Sequence, residues 1–84
     1  MSIKMYNMES WIESKIEQNS GIAEQSLRVA AEGVEAIIRD IKTLKEIDLI
    51  EQIEANIEYL HNAEAAMQRR IALEQTLNNL KSEA

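Results

Sequence analysis

The chain has no cysteine, no proline and no phenylalanine, and its only glycines are Gly21 and Gly33. Without thiols it can form neither a disulfide nor a thiolate metal site. That usage suits a reducing compartment. Without proline, no backbone position is barred from donating a helical hydrogen bond. Two glycines twelve residues apart cannot build a glycine-rich phosphate loop. No serine sits in the strand–turn–helix elbow of a nucleophilic hydrolase, so no catalytic residue is assigned and no enzyme is expected. Positive charge is scarce too. Nine Lys and Arg against fifteen Asp and Glu leave a formal charge of −6, and no basic stripe marks a direct nucleic-acid binder. No run approaches the ~20 apolar residues of a membrane span. The opening residues lack the apolar core of a secretory signal, so the expected location is cytoplasmic.

What the 84 residues do contain is Ala, Glu, Ile, Leu and Gln in quantity, the composition of long helices. The expected fold is all-α: a short N-terminal helix, then a long antiparallel helical hairpin, assembled into a coiled-coil homo-oligomer. A single domain of this size buries little core alone.

Helix 1 is expected over about 6–18. Met8, Ile12 and Ile16 recur every fourth residue beside Met5 and Trp11, with Glu9, Glu13 and Glu17 on the other side. Asn19-Ser20-Gly21 reads as a break, with Gly21 ending one helix and Ser20 capping the next. Helix 2 is expected over about 22–46. Leu27, Ala30, Val34, Ile37, Ile41 and Leu44 step by three and four without a polar interruption, which predicts the oligomer seam. Helix 3 is expected over about 49–82, behind a capping box at Asp48 and Glu51. Ile50, Ile53, Ile57 and Leu60 carry a seam of their own. The phase slip around Asp48 favours a hairpin turn there over one continuous helix from Ile22 to Ser82.

Three groups invite a functional reading. Glu58 and His61 form a Glu-x-x-His pair like those that ferritin-like bundles use for metal, and Glu32 and Glu35 would lie at the same level of the hairpin. Against a metal site, Glu32 and Glu35 point away from the Val34–Ile37 seam, so no metal or other cofactor is expected. Ala23, Ser26, Ala30 and Gly33 share one side of helix 2, and hairpin pairing is expected to set Ala30, Ala31 and Gly33 near Asn62, Ala63, Ala65 and Ala66, which suits close helix packing or a groove for a partner's large side chain. The N-terminal group of Met1, Ile3, Met5, Tyr6, Met8, Trp11 and Ile12 mixes flexible methionines with one tryptophan, as adaptable binding surfaces do.

The expected function is a non-enzymatic interaction protein. It would be a homo-oligomeric adaptor, chaperone or inhibitor that binds another protein through Met8, Trp11, Ile12 and Ile16, in one version by occupying a basic surface. The alternatives are a small ferritin-like metal protein and a binder of small anions at an oligomer interface. Direct nucleic-acid and membrane partners are not expected.

Overall fold

The structure, a computed structural model, describes residues 2–83, with side chains from Asn7 onward. Two helices account for nearly all of it: α1, Ser2–Asp40, and α2, Glu46–Glu83. At 39 and 38 residues each is about 58 Å long at 1.5 Å per residue. They lie side by side as one hairpin with Cα extents of 63 × 14 × 13 Å.

The expected break at Asn19-Ser20-Gly21 does not occur, so the separate short helix is corrected to the first half of α1. The polar side chains there are satisfied within the helix. Asn19 Nδ2 donates to the Lys15 carbonyl at 2.8 Å, and Ser20 Oγ to the Ile16 carbonyl at 2.9 Å. Back-bonding of this kind competes with capping and lets Ser and Asn sit inside a helix. Gly21 has no left-handed backbone, and a Cβ built on it meets nothing within 4 Å. Gly21→Ala is therefore expected to raise stability by up to about 1 kcal/mol through helix propensity. Chemical denaturation checks this, and a loss of stability would restore the break.

The turn also comes earlier than expected, over residues 41–45 instead of at Asp48. The Asp40 carbonyl closes α1 by accepting from Thr43 N, Leu44 N and Thr43 Oγ1 at 2.9–3.0 Å. The Leu49 N–H donates to the Lys45 carbonyl, which makes Lys45 the residue that starts α2. Asp48 thus falls inside the first turn, where with Glu46 it offers negative charge to the helix N-terminus. Leu44 and Leu49 occupy the two positions of a hydrophobic staple, and both are half-buried.

A heptad series joins the helices. On α1 it runs Ile12, Ile16, Asn19, Ala23, Ser26, Ala30, Gly33, Ile37 and Asp40, all buried or half-buried. On α2 it runs Leu49, Asn56, Ala63, Ala66, Arg70, Leu73, Leu77 and Leu80. Leucine and isoleucine fill the two ends, and the middle is small. Gly33 is the tightest point: a Cβ there would overlap the Asn56 carboxamide. Arg69 Nε donates to Asn19 Oδ1 at 2.8 Å, which agrees with that register. Carried along the hairpin, it sets Ala23 opposite Ala66 and Ile12 opposite Leu77. The expected partners of Ala30 and Gly33, around Asn62 to Ala66, are displaced by about two helical turns because the chain reverses earlier.

Candidate functional surface

Helices that approach through alanine and glycine leave their large apolar residues outside. The expected seam is divided accordingly. Ala30 and Ile37 turn inward and are buried, while Leu27, Val34 and Ile41 stay exposed. Leu44 lies in the turn and is half-buried. The seam read on the third helical segment, Ile50, Ile53, Ile57 and Leu60, is exposed throughout.

These exposed residues sit beside one another. Val34 and Ile38 from α1 and Ile53, Ile57 and Leu60 from α2 line one groove of about 220 Å³, with Ile37 and Asn56 also bordering it. Leu27 and Ile41 extend the face along α1, and Ile50, Met67 and Ile71 extend it along α2, each on the same helical stripe. Fifteen large apolar side chains are exposed among the described residues. Single exposed apolar residues are ordinary, but a contiguous face is not.

A second apolar groove lies near the open end of the hairpin, away from the turn. Met8, Trp11 and Ile12 line it from α1, with Leu73 and Thr76 from α2. The proposed partner-binding residues part company here. Ile12 is buried in the hairpin seam and Ile16 is half-buried, so α2 supplies their cover. Met8 and Trp11 have no such cover among the described residues. Trp11 is 58% exposed, with the Lys15 ammonium 5.5 Å from its ring centroid. That is a cation–π contact, modest at an exposed site. The side chains of Met1, Ile3, Met5 and Tyr6 lie outside the described residues.

Polar chemistry is dispersed. Glu32, Glu35, Glu58 and His61 are all exposed, and heptad phase points them outward from the helix pair. No group of three or more His, Asp or Glu positioned for one metal ion occurs among the described residues. The ion pairs are mostly local and on the surface: Glu24–Arg28 at 2.6 Å, Arg70–Glu74 at 3.4 Å, and Glu13–Lys81 across the open end at 4.0 Å. Exposed pairs of this type contribute little to stability. Arg70 is unusual in that its Nε is buried without a hydrogen bond, with the Glu74 carboxylate close by but not aligned to accept.

The inner seam is what reading the sequence did not resolve. Its signal was present as the regular 4-3 spacing from Ile12 to Asp40. Asn19, Ser26 and Gly33 hid it, because a search for apolar residues passes over them. Comparison with protein-family models, curated proteins and solved structures finds no match for this chain.

Proposed function

We propose that this chain is a non-enzymatic interaction protein, a small helical adaptor, chaperone or inhibitor that works through its apolar faces. One observation carries the reading: the middle of the hairpin is closed by small residues, while fifteen large apolar side chains among the described residues stay exposed. A freestanding hairpin gains more by the opposite arrangement, since each large side chain fully buried contributes about 1.5–3 kcal/mol. A chain that leaves such residues outside is built to be covered. The grooves at Met8–Trp11 and at Val34–Leu60 are lined mostly by Met, Trp, Ile, Leu and Val, with only Asn7, Thr76 and Asn56 as polar neighbours, and neither gathers polar groups to handle a reacting substrate.

The groove at Met8 and Trp11 is the proposed site for another protein. Trp and Met are strong anchors at interfaces. The net charge of −6 suits a partner that surrounds its apolar contact with basic residues. No helix among the described residues is long and apolar enough to cross a membrane, and the proposed setting is the cytoplasm.

Trp11 is the natural reporter. In the free protein its emission is expected to be close to that of a solvated indole. It should shift to the blue when the partner, isolated from the native host on the wild-type chain, is added back. Met8→Ala with Trp11→Ala should weaken that complex at least about tenfold, or 1.4 kcal/mol, and leave helicity unchanged. Retention of the same partner by the double variant with undiminished affinity would remove this site from the reading.

A further inference from the structure

We propose that the apolar face near the turn is occupied by a second copy of this chain, packed antiparallel to form a two-fold four-helix bundle with the turns at opposite ends. The assignment rests on the reading of the chain as an interaction protein and specifies what one of its two faces binds.

The α2 stripe is the first ground for a second copy. It runs Ile50, Ile53, Ile57, Leu60, Glu64, Met67 and Ile71, in steps of 3, 4, 3, 4, 3 and 4. That is a coiled-coil seam already turned outward. It also reads nearly the same in both directions about Leu60. A two-fold axis crossing there sets Ile50 against Ile71 of the second copy, Ile53 against Met67, and Leu60 against its own counterpart. Self-complementarity of this kind is what an isologous interface requires. The hairpin register places Leu60 level with Val29 and Ala30, so Leu27 and Val34 on α1 flank the same axis, with Leu27 of one copy about 5 Å along the helix from Val34 of the other. Glu64 is the one charged residue in the stripe. It would meet Ile57, where its methylenes can cover apolar surface while its carboxylate reaches solvent.

Charge decides the orientation. On the open-end half of the same face α1 carries Glu13, Glu17 and Glu24. Parallel hairpins related by a two-fold axis would lay these acids over Glu64 and Glu74 of the second copy's α2. Antiparallel hairpins separate them and bring the turn-end bases Lys42 and Lys45 of one copy alongside Glu13 and Glu17 of the other. The like-charge approach that remains is Glu46 to Glu74, whose carboxylate already has Arg70 at 3.4 Å.

The size is sufficient. The face spans about 23 residues of helix, or about 35 Å, across two helices about 20 Å wide. That is on the order of 700 Å² per chain, close to the ~800 Å² per partner of a standard stable interface.

Sedimentation equilibrium at tens of micromolar should give twice the 9.6 kDa chain mass. Leu60→Glu and Leu60→Lys should each be monomeric alone. Mixed in equal amounts they should recover the doubled mass, because only the mixture brings opposite charges together at the axis. For orientation, the chain lacks cysteine, so Gln75→Cys accepts a single nitroxide. Antiparallel packing puts two labels about 45 Å apart, and parallel packing under about 30 Å. A monomeric wild type, a higher oligomer, or a mixture that stays monomeric overturns the dimer. A short label distance overturns its orientation. A monomer whose Trp11 emission still responds to a partner would refute this interface and leave the broader interaction reading standing.

Discussion

Ala66→Leu is expected to destabilise the hairpin by about 3 kcal/mol, the upper part of the range for overpacking a tight interior. Ala66 has no exposed surface, and the register sets it opposite Ala23, which is 3% exposed. Three added carbons have nowhere to go between two backbones drawn together by alanine and glycine. They can enter only by spreading the helices, which also loosens the Gly33–Asn56 contact ten residues along α2. A domain of 84 residues has a total stability of roughly 4–13 kcal/mol at the usual 0.05–0.15 per residue, so this loss is a large share. Urea denaturation followed by circular dichroism, at matched protein concentration, measures it. Ala72→Leu adds the same atoms to the exposed side of α2 and should change stability by less than about 0.5 kcal/mol. Equal effects from the two variants would mean that the inner seam is not close-packed.

The second large effect is a coupling. Gly33→Ala gains up to about 1 kcal/mol of helix propensity but drives a methyl into the Asn56 carboxamide, whose Cγ would stand 2.8 Å from the new Cβ. Asn56 is itself buried, so it has little room to swing aside. The clash is expected to prevail, and Gly33→Ala should cost about 1–2 kcal/mol net. Asn56→Ala removes the obstructing group. In that background the same Gly33→Ala change should become stabilising by up to about 1 kcal/mol. The change of sign, a coupling near 2 kcal/mol, lies within the range for residues in direct contact. If Gly33→Ala is stabilising in the wild-type chain, Asn56 moves freely and the close approach does not depend on glycine.

Gly21 and Gly33 show how far residue type alone can be read. Both are glycines on one helix, and both looked like departures from helix formation. Asn19 and Ser20 before Gly21 predict a helix end there. Its neighbours instead bond back to Lys15 and Ile16, and the helix continues through it. Gly33 was linked to a close approach, and the structure shows one, but to Asn56 and not to the alanines two turns further along α2. The difference comes from the turn. Asp40 gathers three donors and reverses the chain at 41–45, ahead of Asp48, and every pairing along the hairpin moves with it.

Helix content, the absence of strands among the described residues, the hairpin and the positions of the large apolar residues on each helix follow from the sequence itself. They depend on propensity and on the 3.6-residue period, both of which are local. Only the tertiary structure decided which of two neighbouring stripes on α1 faces α2. The expected seam straddles the two: Leu27, Val34 and Ile41 stay outside, while Ala30 and Ile37 go inside with Ala23 and Gly33. Periodicity counts apolar residues but is blind to how closely two backbones approach. That distance depends on the partner helix, where Ala63, Ala66 and Asn56 fall in register with the small residues of α1 and let both chains pack tightly.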